Sequence, residues 1–431
     1  VPPFPDDPID FLFSLERLGM KFGLENISRL CDSLGHPERA FRSVLIAGTN
    51  GKGSVTVMAE TALRIAGLRV ARYTSPHLVR LEERFVIRGR EVIRDELRAA
   101  AGRVRDAALR LIDDGGLDGP PTFFECTTAS AFELFREAGV DIAVLEVGLG
   151  GRLDATNVVT PLVAAITSID FDHEQQLGSS IESIAREKAG IIKPGVPVVC
   201  GPLPADAERI IRETCDAVGS RMVRAADRVP VTPRADGAVD LRIGNRMLSG
   251  VTLALAGAHQ RQNAAVAVSV IEELSQLGVL TPDEAIRESL ESVEWPGRIE
   301  RFHLDGIEII LDAAHNPAGA AALASYLTDA GWRDATLVLG VMRDKDVRGM
   351  LEALLPPSPV WGLVVCTTAP GPRALPAAAL AALASDVAGG RVPVEIVTDP
   401  EAALDRARRR GRPAVAAGSI FLIGPLRDIL R

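Results

Sequence analysis

The strongest constraint on the fold is the run Val44-Leu45-Ile46-Ala47-Gly48-Thr49-Asn50-Gly51-Lys52-Gly53-Ser54. Apolar residues of strand type lead into a glycine-rich turn. A helical pattern follows in which Val55, Ala59, Ala62 and Ala66 share a face, with Gly67 placed to end it. Strand, tight loop and helix in that order aim backbone N–H groups and a helix N-terminus at an anion, which predicts a phosphate site. Lys52 adds a positive charge for the terminal phosphates, and Ser54 a hydroxyl that can complete a magnesium shell. The common G-x-x-x-x-G-K-[ST] spacing is not met, because Ile46 stands at its first glycine and Gly53 directly follows Lys52. A bare glycine turn would explain the glycines but leave Lys52 and Ser54 without a reason.

At 431 residues the chain exceeds one ordinary core, and 47% hydrophobic residues suffice for two. A net charge of −9 argues against a nucleic-acid surface, though not against anionic small molecules gathered by local basic groups. The five cysteines (Cys31, Cys126, Cys200, Cys215, Cys366) are scattered, without C-x-x-C spacing, which fits a reduced cytosolic protein and offers no zinc site. No apolar run reaches about 18 residues, and the start Val1-Pro2-Pro3 carries no leader pattern. The expectation is a soluble, cytoplasmic chain with no membrane partner.

Near-continuous apolar runs at 44–47, 142–147, 162–169 and 196–200 alternate with helical patterns, as in a parallel sheet covered on both faces. Around 239–255 the pattern alternates about Gly244-Asn245, which predicts a small antiparallel hairpin, and 259–275 is helical again. Glu294-Trp295-Pro296-Gly297-Arg298 breaks the regular structure. Beyond it, candidate strands at 307–312, 336–341, 361–367, 393–398 and 413–418 alternate with helices and predict a second, smaller α/β sheet. The alanine-rich stretch 377–388 reads as one of those helices.

Polar groups gather where these strands end, the usual place for ligands in such sheets. Glu146 closes one buried run and is a natural magnesium ligand opposite a phosphate loop, or else a salt-bridged cap. Gly148-Leu149-Gly150 after it does not follow the dinucleotide fingerprint. His173 follows the next strand beside Asp170 and Asp172, which favours a ligand over a structural histidine. Lys188 alone would be a solvated helix charge. In the second region Asp312 could take ribose hydroxyls and His315 ribose or phosphate, while a plain Asx turn into Pro317 would leave both idle.

The order of these pieces resembles the Mur-ligase superfamily, and within it the folylpolyglutamate synthase/dihydrofolate synthase family, from about residue 14 to the C-terminus. The resemblance rests on the 48–54 loop, Thr74-Ser75-Pro76-His77-Leu78 with Glu83-Arg84, and Phe123-Phe124-Glu125. It continues through the 145–157 block, Arg186-Glu187-Lys188-Ala189-Gly190 and Asp312-Ala313-Ala314-His315-Asn316-Pro317. It implies a P-loop mononucleotide-binding domain over 1–294 and a smaller Rossmann-like α/β domain over 299–431. It also implies an ATP-dependent ligase that adds L-glutamate to a folate, and to dihydropteroate, through an acyl phosphate. That places the chain in folate biosynthesis and one-carbon metabolism, acting as a monomer on small molecules.

Carried over by position, the resemblance gives Lys52 the β/γ-phosphates, with Thr49, Asn50, Gly51, Gly53 and Ser54 around them. Asn263, Arg298, Asp312 and His315 would also contact ATP. Ser75 and Glu146 would hold one Mg2+ and His173 a second, with Lys188 carbamylated to help hold it; Lys52, Lys188 and His173 form the catalytic set. Phe124, Asp154 and Ala155 fall where a pterin is held, with Cys126 at a position often bulkier in relatives. Asn157 and Arg343 line the site without an assigned role. The alternatives are a cell-wall ligase acting on a UDP-linked muropeptide, a phosphotransferase that forms no amide, and a non-catalytic nucleotide-binding protein. The last would be expected to have lost Lys52, Glu146 or Lys188.

Overall fold

The computed structural model describes residues 4–19, 21, 23–117 and 119–431. The start Val1-Pro2-Pro3, on which the expectation about a leader rests, lies outside them. The chain forms two compact units. One runs to Ile169 and adds Leu177–Thr252 and Gln262–Val293; the other comprises Asp170–Gln176, Leu253–Arg261 and Glu294–Arg431. Two short segments that precede the Pro296-Gly297 break therefore pack with the C-terminal residues.

The first unit is built on strands β1 (Arg42–Ala47), β2 (Val70–Tyr73), β3 (Phe85–Ile87), β4 (Arg90–Glu91), β5 (Ile142–Glu146), β6 (Val163–Ile166), β7 (Val198–Cys200) and β8 (Met222–Arg224). They lie in the order β4-β3-β2-β5-β1-β6-β7-β8. From β2 to β8 every pairing is parallel; β1, β5, β6 and β7 are the expected apolar runs of a sheet covered on both faces, whereas β2 and β8 each carry an arginine. The edge departs from the all-parallel expectation: β3 pairs antiparallel with β2 and with β4. Arg88 (φ 52) and Gly89 (φ 77) supply the positive φ pair that a two-residue hairpin turn needs.

The expected hairpin is part of a three-stranded antiparallel sheet. Its strands are β9 (Val231–Pro233), β10 (Val239–Ile243) and β11 (Arg246–Val251), ordered β11-β10-β9. In the second unit β12 (Glu300–Leu304), β13 (Ile307–Leu311), β14 (Ala335–Leu339), β15 (Trp361–Cys366), β16 (Val394–Ile396) and β17 (Ala414–Ala417) form one sheet, ordered β12-β13-β17-β14-β15-β16. The expected strands are all present, and β12 adds an antiparallel edge through a turn at Asp305-Gly306. The predicted helices appear as Lys52–Ile65, Ala258–Gln276 and Ala377–Ala388. No helix among the described residues is long and apolar enough to cross a membrane. All five cysteines are free and buried.

Gly201, just after β7, is a close-packing point against the end of β6. Its N–H bonds the Ile166 carbonyl at 2.9 Å, and a Cβ there would overlap the Thr167 carbonyl oxygen. Gly201→Ala is expected to lower stability by about 1–3 kcal/mol, as overpacking against fixed backbone does. Urea denaturation checks this; an unchanged midpoint would show that the β6–β7 edge yields freely.

Candidate active site

β1 stops at Ala47 and the helix Lys52–Ile65 opens on Gly51, whose φ of 85 is left-handed and suits glycine. A Cβ on Gly51 would collide with Asn263 Oδ1, and one on Gly48 with Thr167 Oγ1. The loop is anchored to the end of β6. Thr49 N–H donates to Ser168 O (2.8 Å), Asn50 N–H to Ser168 Oγ (3.0 Å), and Thr167 Oγ1 to Asn50 O (2.6 Å). Lys52 folds back so that Nζ donates to Gly48 O (3.0 Å) and Thr49 O (3.1 Å). Lys188 lies near the end of the helix Ile181–Ala189 and is only 3% exposed. Its Nζ donates to the same Gly48 oxygen at 2.9 Å. The structure thus brings Gly51, Lys52, Lys188 and Asn263 together at one loop, with Gly53 and Ser54 in the first turn of its helix.

Glu146 ends β5, which lies between β1 and β2, and pairs in register with Ile46. Its buried carboxylate accepts the Ser75 N–H at 3.2 Å, so Ser75, just past β2, stands beside it. A carboxylate with a neighbouring hydroxyl is a hard oxygen set suited to Mg2+. Among the described residues no group of three or more His, Cys, Asp or Glu side chains could hold a metal by itself. Any ion here would need oxygens from its ligands or water to fill its shell.

Phe124 is carried by the helix Phe123–Glu137, whose first turn is capped reciprocally by Thr122 and Glu125. Its ring packs so closely over Gly148 that a Cβ there would overlap it. Cys126, two residues on, is fully buried, which pushes its thiol pKa well up. Asp154 is also buried. Oδ1 accepts from Thr156 N–H (3.0 Å) and Thr156 Oγ1 (2.5 Å), and Oδ2 from Leu149 N–H (2.9 Å). Burial raises its pKa above the usual carboxylate range, only partly countered by those bonds. The side chain therefore holds its own loop together, with Ala155 opening the following turn. Asn157 acts as a tie. Its Nδ2 donates to Arg152 O (3.1 Å) and Gly190 O (2.9 Å), joining that loop to the end of the helix that carries Lys188.

The remaining candidates belong to the second unit. Asp312, buried at the end of β13, accepts Ile299 N–H and Ala314 N–H, each at 2.9 Å. Burial raises its pKa despite the nearby Arg298 charge. His315 Nδ1 lies 2.8 Å from Ala313 O; a carbonyl only accepts, so Nδ1 carries the proton. His173 (φ 52) and His315 both face Asp172. Burial raises the pKa of Asp172, but the His315 hydrogen bond and the charges of His173 and Lys345 outweigh it and hold it well below the usual range. Arg343 donates to Ala374 O at 3.1 Å, which fixes the loop after β14.

The Mur ligase middle domain matches residues 117–271, and the Mur ligase glutamate ligase domain residues 297–422. The folylpolyglutamate synthase of Lacticaseibacillus casei is 33% identical over 432 residues, covering 98% of each chain. The chain belongs to the folylpolyglutamate synthase/dihydrofolate synthase family of Mur ligases. A probable bifunctional folylpolyglutamate synthase/dihydropteroate synthase of Haloferax volcanii is 35% identical across 98% of this chain, which spans only 50% of that protein's length. The Mycobacterium tuberculosis folylpolyglutamate synthase solved with ADP and AMPPCP superposes with a TM-score of 0.90 at 34% identity, covering 98% of this chain and 99% of that one. A bifunctional folylpolyglutamate synthase/dihydrofolate synthase solved with Mn, AMPPNP and L-glutamate gives 0.85 at 32%, covering 99% of each. The cell-wall alternative is not favoured by these relatives.

Lys345, which pairs with Asp172, is not marked by the sequence, whereas Thr167 and Ser168, which anchor the loop, belong to the polar cluster 167–173 that the sequence places at a strand end. Thr167 and Ser168 directly follow the C-terminal end of β6, the signal that singled out Glu146. His259 supplies a pH test. Burial, and then the charge of Arg298, lower its pKa to about 4. Above roughly pH 6.5, the ordinary histidine value, both folded and unfolded states are neutral there; below it the unfolded chain takes a proton that the folded one refuses. Stability should fall from pH 6.5 towards 4, with His259→Gln flattening the slope. Equal slopes for both proteins in urea titrations would contradict this.

Proposed function

We propose that the chain is an ATP-dependent amide ligase that joins L-glutamate to a folate, and also to dihydropteroate. In the first step a substrate carboxylate oxygen attacks the γ-phosphorus, the bond to ADP breaks, and an acyl phosphate forms. The glutamate amine then attacks the acyl carbon, the C–O bond to phosphate breaks, and the amine loses a proton as the amide forms. Carboxylate alone has no usable leaving group, so phosphorylation is the enabling event. The observation that carries this reading is the meeting of Lys52 and Lys188 at the Gly48 carbonyl, just past the end of β1, whose neighbour β5 ends in Glu146.

In this reading Lys52 stabilises charge on the β/γ-phosphates, with the backbone around Thr49, Asn50, Gly51, Gly53 and Ser54 as the cradle. Asn263 borders that loop, and the family resemblance adds Arg298, Asp312 and His315 as nucleotide contacts. Ser75 and Glu146 would hold one divalent ion and His173, with a carbamylated Lys188, a second. Such ions, Mg2+ by the chemistry of the donors, neutralise phosphate charge during transfer. Carbamylation is compatible with the observed contact, because a carbamate nitrogen keeps one N–H for Gly48 O. It would also place an anion where the lysine amine stands. Phe124 offers the pterin an aromatic face, and Asp154 with Ala155 shapes the loop beneath it.

Lys52→Ala should fold normally and lose roughly 10²–10³-fold in kcat, the loss typical of removing one charge-stabilising donor. Mass analysis of products from dihydropteroate and tetrahydrofolate reads both activities at once. Near-native turnover of the variant would overturn the assignment, and no glutamate added to dihydropteroate would restrict the chain to folate extension. Lys188→Ala should be equally impaired and partly rescued by short carboxylates that replace the carbamate. Full activity without rescue would return Lys188 to a structural role.

A further inference from the structure

Asp172 is a buried meeting point within the second unit. Lys345 Nζ lies 2.6 Å from Oδ1, and the His173 backbone N–H donates to the same oxygen at 2.9 Å. Asn316 Nδ2 donates to Oδ2 at 3.2 Å, and His315 Nε2 stands 3.5 Å from it. His173 Nε2 is 3.4 Å from Lys345 Nζ and 3.9 Å from Asp172 Oδ1. Exposure divides these groups: the Asp172 and Lys345 side chains are 8% and 11% exposed, the His173 and His315 rings 37% and 35%. A buried ion pair therefore presents two half-open imidazoles.

The backbone is arranged to the same end. His173 sits at φ 52, a left-handed conformation that a residue other than glycine keeps only when its surroundings hold it, and its N–H is tied to the Asp172 carboxylate. Asn316 caps the helix Pro317–Asp329 through Oδ1 on Gly319 N–H while its Nδ2 reaches Asp172, so the same amide fixes the residue after His315. Lys345 stands on a loop pinned by Arg343 N–H to Arg373 O and by the Met342–Ala374 bridge. Each ring thus takes its place from the carboxylate, and the carboxylate from the lysine.

We propose that Asp172 and Lys345 are positioning residues, a buried pair that sets both His173 and His315 for the nucleotide step. This rests on the ligase reading above, which gives those two histidines their work. Removal of the Lys345 charge leaves Asp172 held by Asn316 and by its neighbour's backbone, so the chain can fold while the rings lose their common reference.

The test uses the full chain with Lys345→Met, Lys345→Arg, Asp172→Asn and the double variant K345M/D172N. K345M is expected to melt within a few degrees of the parent and to lose at least thirtyfold in kcat with KM for glutamate within twofold. K345R should recover part of that loss, and the double variant should be no worse than K345M, because the two residues act as a unit. In the nucleotide-free protein, 13C-resolved spectra of the six histidine rings should show His173 and His315 moving in K345M, with His36, His77 and His303 unmoved. A kcat within threefold of the parent, unmoved His173 and His315 signals, or losses that multiply in the double variant would overturn the proposal. If K345M melts too low to assay, Lys345→Gln takes the same measurements with the same expected results. The parent chain run in parallel separates the two levels: if it joins glutamate to a folate and K345M does so at the same rate, only the positioning role fails, whereas a parent that forms no such amide removes the ligase reading itself.

Discussion

The site depends on one carbonyl oxygen that receives two lysines. Gly48 O accepts from Lys52 at 3.0 Å and from Lys188 at 2.9 Å, so the two nitrogens are no more than about 6 Å apart. As ammonium groups at that separation they would repel by about 3 kcal/mol at an effective dielectric near 20. Such an arrangement is favourable where an anion comes to lie between or beside the charges, or where one of them is converted to an anion. The glycines make it possible. Only a residue without a Cβ fits at Gly48 against Thr167 and at Gly51 against Asn263, and Thr167 and Ser168 then hold the loop in that shape.

Two carboxylates expected as ligand groups, Asp312 from its place at a strand end and Asp154 from the family resemblance, organise backbone in the structure. Asp154 and Asp312 are each buried and each accept the N–H two residues on, Thr156 in one case and Ala314 in the other. In both, burial raises the carboxyl pKa and N–H donors moderate the rise. The two loops differ in sequence but share a device: a buried carboxylate closes a turn whose next residues, Asn157 or His315, do the reaching. Asp172 extends the device from backbone to side chains, since it bonds an N–H of its neighbour and collects Lys345, His315 and Asn316 as well.

Much of this architecture is legible in the amino-acid sequence because buried parallel strands are apolar on both faces and stand out at any register. β1, β5, β6 and β7 are of that kind, and so are β14, β15 and β17. The strands that escape notice are short or exposed. β3 and β4 have three and two residues, β8 and β9 three, β2 four, and β12 alternates between half-buried and exposed positions. For β12 a usable signal exists in Asp305-Gly306, a dipeptide that favours a two-residue turn between strands. In the site, Lys52 is legible because it opens a helix between two glycines just after a strand, and Glu146 because it ends a buried strand two residues before a glycine. Lys345 is not, because a lysine in the charged run Arg343-Asp344-Lys345-Asp346 reads as solvated surface until its partner, more than a hundred residues away, is known. Lys188 stands between these cases: its helix is legible and its burial is not.

The acyl phosphate is the chemical centre of this account, and isotope transfer tests it most directly. A folate or dihydropteroate whose reacting carboxylate carries 18O in both oxygens is turned over with ATP and L-glutamate, and the inorganic phosphate is analysed by mass. The account predicts one 18O atom in each phosphate released, because the oxygen that attacks phosphorus leaves with it when the amine displaces it. Phosphate free of label, with amide product formed at the same rate, would contradict the account.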